Sequence, residues 1–441
     1  MLKSLHKENQ KELASYLAGR AYEISPETLM TASNIIEDVR KRQDEALKDY
    51  TEKFDGVKLE TLRVPVEEIE AQAAKVDPAF RAALEEAAEN IRYFHEAQIQ
   101  HGYELQKEDG IYLGQRVIPL AAVGIYVPGG RALYPSSVLM NAIPAKIAGV
   151  KRIVMVTPPA KEGGLSPKLA AAAQVIGVDE IYTVGGAQAV AALAYGTESI
   201  APVDKIVGPG NVFVAAAKKM VFGKVDIDMI AGPSEILVIA DATANPRHVA
   251  ADLLSQAEHD PMASSILVST SAKLIEAVNK ELRKQTDALP KKEIIEQSLA
   301  AYGTSVLVDT LEEAIEISNE IAPEHLELQI ENPRQYLPLV TNAGSVFLGY
   351  TTCESIGDYF GGTNHVLPTS QTAKFSSALS VDAFIKKSSY LYYTPEALTK
   401  HGHKIIRMAQ EEDLEGHANA IRVRLEDGLD AGSQTDGEED Q

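Results

Sequence analysis

Up to about residue 100 the apolar positions recur at helical spacing. Ser25-Pro26-Glu27 and Asp77-Pro78 each join a capping residue to a proline suited to a first helical turn, and Phe80, Leu84, Ala87, Ile91 and Phe94 keep helical intervals after the second start. These helices are expected to pack on a larger body. From Val123 onward apolar runs alternate with alanine-rich amphipathic stretches: GIYV, a helix to Gly149, RIVMV, a helix to Gly177, EIYTV, a short helix, KIV, a helix to Val221, then EILVIA. A second alternating run follows, with SSILVS near Ser265, TSVLVD near Ser305 and GSVFLG near Gly344. Such alternation predicts parallel strands covered by helices. The expected fold is therefore α/β: two Rossmann-like lobes facing each other across a cleft, with N-terminal helices and a small C-terminal extension.

Composition narrows the functional classes. The 441 residues are 45% hydrophobic and 24% charged, ordinary globular material with a large core. The net charge is -21; seven acidic residues and no basic one lie beyond Arg424, leaving about -14 on the body. Nucleic acid, a polyanion, is excluded as an expected partner. The segment after Arg424, LEDGLDAGSQTDGEEDQ, lacks large apolar groups and is expected to be a disordered tail. Cys353 is the only cysteine, so no intrachain disulfide can form. Without a signal-peptide core or an uninterrupted apolar span, the expectation is a cytoplasmic chain with no membrane partner.

Three glycine-rich loops punctuate the first alternating run: Pro128-Gly129-Gly130, Gly185-Gly186-Ala187-Gln188 and Gly208-Pro209-Gly210-Asn211. The second and third open helices, whose free N–H groups favour phosphate. None has the spaced glycines of a standard dinucleotide fingerprint. Each could be a tight turn; three at one carboxyl edge would make a nucleotide crevice.

Candidate chemistry is concentrated in the last two-fifths of the chain. Gln256, His259, Asp358 and His417 offer two imidazole nitrogens and two oxygens, a set suited to a borderline cation such as Zn²⁺. Gln256 and His259 stand three apart near a helix end and share a face. Alone, such a pair is as readily surface decoration, Asp358 a turn former, and His417 an ordinary surface residue. Glu324-His325, entering an apolar strand, provides two proton carriers if the strand opens onto the cleft, and otherwise a hydrogen-bonded core histidine. His365 is similarly placed between the two readings.

The strings Val123-Gly-Ile-Tyr126-Val-Pro-Gly-Gly130, Gly185-Gly-Ala-Gln188-Ala, Gly208-Pro-Gly-Asn211, Ala231-Gly-Pro-Ser234-Glu, Leu254-Ser-Gln256-Ala-Glu-His259, Pro323-Glu-His325-Leu and Gly357-Asp-Tyr through Gly362-Thr-Asn-His-Val-Leu-Pro368 closely resemble histidinol dehydrogenases. The likeness runs from the N-terminal helices to about Arg424. It implies an enzyme of histidine biosynthesis that oxidises L-histidinol to L-histidine through L-histidinaldehyde with two NAD⁺, in an arrangement like that of aldehyde dehydrogenases. Zinc ligands are implied at Gln256, His259, Asp358 and His417, substrate contacts at these residues and at Ser234, His325, His365 and Glu412, and NAD contacts at Tyr126, Gln188 and Asn211. Glu324 and His325 are the implied catalytic pair. A homodimer with shared sites is implied, Glu412 and His417 completing the partner's site.

The same resemblance divides the chain into an N-terminal helical segment 1–25, a first lobe of 26–125 with 240–378 carrying the zinc and catalytic residues, a second, NAD-side lobe of 126–239, a dimer-crossing element 379–424, and the tail 425–441. Cys353, five residues before Asp358, raises a competing covalent thiohemiacetal route. No motif requires it, so a structural role is expected. Two further classes compete: a paralogue oxidising another amino alcohol on the same fold, and a non-catalytic metal-binding protein, against which the Glu324-His325 pair speaks.

Overall fold

In the computed structural model, which describes residues 1–6, 24–129 and 133–427, the strands in chain order are β1 (Lys3–His6), β2 (Tyr103–Glu108), β3 (Ile111–Pro119), β4 (Ala122–Tyr126), β5 (Arg152–Val156), β6 (Glu180–Tyr182), β7 (Lys205–Val207), β8 (Asp226–Ile227), β9 (Glu235–Ala240), β10 (Ser264–Ser269), β11 (Gly303–Leu307), β12 (His325–Gln329), β13 (Ser345–Leu348) and β14 (Ile385–Tyr393). Two units divide them. The first spans Met1–Ile99 and Pro119–Phe384; the second joins Gln100–Ile118 to the chain from Ile385 onward.

The first unit contains the two expected parallel sheets. One has five strands in the order β6-β5-β4-β7-β8, the other six in the order β1-β11-β10-β9-β12-β13. Strands covered on both faces are apolar throughout. Every residue of β9 and β10 is buried, which is why EILVIA and SSILVS stand out as continuous runs. Two of the helices between strands start on a Ser-Pro or Asn-Pro pair, Pro167–Ile176 after Ser166 and Pro246–Ala257 after Asn245, and several stop at a glycine. Gly149, for example, takes φ 93° and returns its N–H to the last turn of the helix Pro135–Ala148.

Strand order decides where a ligand can sit. From β4 the chain moves outward through β5 to β6, then returns to β7 on the other side of β4. The connections diverge there, opening a crevice at the carboxyl ends of β4 and β7.

Two expectations about the N-terminal region need correction. Lys3–His6 is not helical: it adds a parallel edge strand to β11, Lys3 opposite Thr304. That partner is about 300 residues away, so local periodicity carries no sign of it. Residues 7–23 of the expected helical segment 1–25 lie outside the described residues. Nor do residues from 26 on join the lobe of 240–378. The helix Pro26–Arg42 packs on helices Gly186–Tyr195 and Val212–Val221, Val66–Ala73 on Pro167–Ile176, and Pro78–Glu96 on Pro135–Ala148. Ile36 and Val39 share a core with Val190 and Ala216, and Leu84 and Ile91 share one with Leu139 and Ile143. The apolar stripes that reveal these helices face the outer helices of the five-stranded lobe.

The second unit is an antiparallel hairpin, β2 with β3, extended by β14 in the order β14-β3-β2. It also holds the helices Pro395–Glu411 and Glu415–Glu426, which pack on each other. The hairpin was not expected, because β2 is polar and exposed along most of its length. The C-terminal element accordingly begins at Ile385, not 379, and residues 428–441 of the acidic tail lie outside the described residues. Among the described residues no helix is long and apolar enough to cross a membrane.

Candidate active site

A cavity of about 570 Å³ lies in the first unit where the carboxyl edge of the five-stranded sheet meets the amino edge of the six-stranded one. The first edge supplies Pro128 after β4, Gly208 to Val212 after β7, and Ala231 to Ser234 after β8. The second supplies Glu324 and His325 at the start of β12, with Gln256 and His259 from the chain entering β10. Asp358, Tyr359 and His365 close it from the segment after β13.

Glu324 and His325 are brought into position by the end of the preceding helix. Ala322 adopts φ 50°, a left-handed conformation that costs a residue with a Cβ about 1 kcal/mol, and Pro323 then prevents the helix Leu311–Ile321 from continuing. Both side chains anchor on one residue of the neighbouring strand: the Glu235 N–H donates to Glu324 Oε2 at 2.9 Å, and His325 Nδ1 lies 3.0 Å from the Glu235 carbonyl oxygen. A carbonyl only accepts, so Nδ1 carries a hydrogen and Nε2 is the nitrogen left to gain or lose a proton. Nε2 has no hydrogen-bond partner and lies 3.5 Å from Asp358 Oδ1. The pair is 7% and 3% exposed.

Burial and charge act against each other here. Burial pushes Glu324 up to about 8, more than the attraction of His325 can offset. For His325 burial disfavours the charged form, yet the carboxylates of Glu324 and Asp358 outweigh it and raise the imidazole to about 10. Asp358 is held below the ordinary carboxylate range: burial opposes its charge, and His325, His365 and His259 prevail. Burial lowers His259 and His365 despite that same carboxylate. His365 donates from Nδ1 to the Asp358 carbonyl oxygen at 2.9 Å, leaving Nε2 to accept from the Ser137 hydroxyl at 3.2 Å.

Gln256, His259 and Asp358 all face the cavity. The Gln256 side chain is buried and its Oε1 has no hydrogen-bond partner. An orphaned amide oxygen, an imidazole kept neutral and a carboxylate kept ionised are the protonation states a cation needs. Among the described residues no three histidine, cysteine or acidic side chains form a cation cage by themselves. Glu412 and His417 belong to the second unit, the former at the end of the helix Pro395–Glu411 and the latter exposed in Glu415–Glu426.

The three expected nucleotide contacts divide. Asn211 lines the cavity and caps the helix Val212–Val221 by accepting from the N–H groups of Phe213 and Val214 at 3.0 and 3.1 Å. Tyr126 and Gln188 are buried beside the neighbouring loop, where the Tyr126 hydroxyl accepts from the Gly186 N–H at 3.0 Å. Sequence reasoning missed the ion pair beneath the third glycine loop. Lys218 Nζ donates to the Gly208 carbonyl at 2.9 Å and pairs with Asp228, which accepts the Gly208 N–H at 2.7 Å; the side chains are 3% and 1% exposed. A lysine amid FVAAAKKMV was the available signal, but no local spacing links it to an aspartate ten residues away.

Two parallel sheets meeting edge to edge over an anchored histidine and a buried carboxyl define an α/β protein with a buried proton-transfer pair. A profile of the histidinol dehydrogenase family matches residues 20–425. Histidinol dehydrogenases of Clostridium acetobutylicum and Listeria monocytogenes are 56% and 57% identical to this chain, covering 90% and 89% of it and 93% and 92% of their own lengths. The crystal structure of histidinol dehydrogenase from Elizabethkingia anophelis superimposes with a TM-score of 0.91 at 40% identity, covering 97% of this chain and 98% of that one. The chain belongs to the histidinol dehydrogenase family, and is thereby an oxidoreductase of histidine biosynthesis.

Proposed function

We propose that the chain oxidises L-histidinol to L-histidine through L-histidinaldehyde, passing two hydrides in succession to two molecules of NAD⁺. The observation that carries the reading is His325: Nδ1 is committed to the Glu235 carbonyl, leaving Nε2 as the nitrogen that can exchange a proton at the cavity beside Asp358. Gln256, His259 and Asp358 would hold Zn²⁺ together with His417 of a second copy, in a homodimer whose Glu412 and His417 complete each other's sites. Bound there, the cation would orient the substrate's imidazole and amino nitrogens and offset the charge of Asp358.

The residues then divide the work. With Asp358 neutralised, His325 is attracted to its own proton less strongly and can act as a base. It takes the alcohol proton as hydride leaves the carbon for the nicotinamide, because an alkoxide-like carbon releases hydride more readily than a neutral alcohol. As water attacks the aldehyde, the ionised Glu324, within reach of the same cavity, draws a proton from it while His325 returns the alcohol proton to the aldehyde oxygen, giving the diol and a free base again. His325 deprotonates the resulting diol as the second hydride leaves. Ser234 and His365 line the cavity and would contact substrate, and Asn211 at the carboxyl edge of the five-stranded sheet marks the nucleotide side, with Tyr126 and Gln188 supporting it.

Replacing His325 with alanine tests this. NADH formation should fall about 100- to 10,000-fold while zinc and histidinol still bind. A His325→Ala enzyme with wild-type turnover would remove the base.

A further inference from the structure

Beneath the site one carboxylate joins three elements that carry its working residues. Glu327 follows His325 by two positions on β12, so it leaves the same face of the strand, and it is 0% exposed. It does not line the cavity. Its Oε1 accepts the backbone N–H of Glu354 at 2.8 Å, at the start of the helix Glu354–Tyr359 that bears Asp358. Cys353, which precedes that helix, gives it no side-chain cap. Glu327 Oε2 accepts from Gln329 Nε2 at 2.8 Å, and the same amide donates to Asp252 Oδ2 at 2.6 Å. Asp252 sits four residues before Gln256 on the helix Pro246–Ala257, where Ser255 also donates to the Glu354 carboxylate. The side chains thus run from the Asp358 helix through β12 to the Gln256 helix, out of contact with solvent at Glu327.

We propose that Glu327 is a positioning residue: by accepting the Glu354 N–H it fixes the helix Glu354–Tyr359 against β12, and so sets Asp358 against His325 and beside Gln256. The inference rests on the reading of those three as working residues. Among the described residues Glu327 is the side chain that accepts from the first amide of that helix, and a carboxylate one methylene shorter on β12 would fall short of it.

Two substitutions separate this role from simple core filling. Glu327→Met keeps the length and removes the acceptor, whereas Glu327→Gln keeps an oxygen for the Glu354 amide. In metal-free full-length protein, deuterium exchange over residues 353–358 should rise at least about tenfold in Glu327→Met, with zinc affinity, measured by competition with a chromophoric chelator, falling about 10- to 100-fold. Its kcat for histidinol should drop while the KM for NAD⁺ stays at the wild-type value. Glu327→Gln should restore most of all three. Wild-type exchange and zinc affinity in Glu327→Met, or a Glu327→Gln enzyme as impaired as Glu327→Met, overturns the proposal. If Glu327→Met does not fold, Glu327→Asp replaces it, and wild-type exchange and zinc affinity in that variant overturn it equally. Should the wild-type chain hold no zinc and oxidise no histidinol, the functional reading falls, while the exchange measurement still decides what Glu327 does.

Discussion

At the scale of single residues, chemistry depends on where protons are held. Burial pushes Glu324 up to about 8, so its ionised form, the base for water, gains population as pH rises toward that value; its isosteric amide should retain the bond from the Glu235 N–H while losing the ability to accept a proton from water. Glu324→Gln should therefore stall aldehyde oxidation while the alcohol step proceeds, which is read by supplying histidinal in place of histidinol. Equal losses with both substrates would contradict the division of roles. The thiol of Cys353, pushed up by burial and by the Asp252 and Glu327 carboxylates, is a poor nucleophile at neutral pH. Cys353→Ser should turn over close to the wild-type rate; near-total loss would revive the covalent route.

Stability has its own proton. His95 is fully buried, with Nδ1 on the Ile91 carbonyl and Nε2 beside Asn364, and burial holds its pKa below the ordinary 6.5. Between that lowered value and 6.5 the unfolded chain binds more protons than the folded one, so the contribution is fully present above pH 6.5 and is lost as pH falls. Urea midpoints of a His95→Gln variant should decline less steeply below pH 6.5 than those of the wild type. An unchanged slope would assign the acid loss to other groups.

At the scale of elements, the turns after β4 and β7 set the crevice. Gly208 has φ 109°, and a Cβ there would lie 2.1 Å from the Tyr126 carbonyl oxygen, with Lys218 and Asp228 clamping its peptide from below. Gly208→Ala must move that backbone, so the KM for NAD⁺ should rise at least about tenfold. Asn211→Ala removes the cap of the following helix and should cost about 1 kcal/mol in denaturant unfolding. These elements were legible: helix starts at Ser25-Pro26 and Asp77-Pro78 and the runs EILVIA and SSILVS fall where the spacing predicts, because caps and buried strands are local signals. The strand at Lys3–His6 and the hairpin of β2 and β3 were not, because an edge strand and an exposed hairpin owe their form to partners elsewhere.

At the scale of the whole molecule, the donor set proposed for zinc is divided between the two units: the first holds Gln256, His259 and Asp358, and His417 lies in the second. Prolonged chelation should abolish histidinol oxidation and zinc should restore it. If His417 is supplied by a second copy, His259→Ala and His417→Ala chains, each inactive, should recover activity when refolded together, since a mixed dimer contains one intact site. No recovery, with mixed dimers demonstrated, would exclude sharing.

Taken alone, the order of residues determined the α/β class, the two alternating runs, the three glycine turns and the residue types available for proton transfer, because each depends on neighbours within a few positions. Tertiary structure decided the rest. It turned the amino edge of one sheet toward the carboxyl edge of the other, put Glu324 and His325 on the backbone of Glu235, seated the N-terminal helices on the five-stranded lobe, and buried Lys218 against Asp228 and Glu327 under Asp358. Each of these is a contact whose energy comes from excluding water around groups distant along the chain, and no local period records which distant groups will meet.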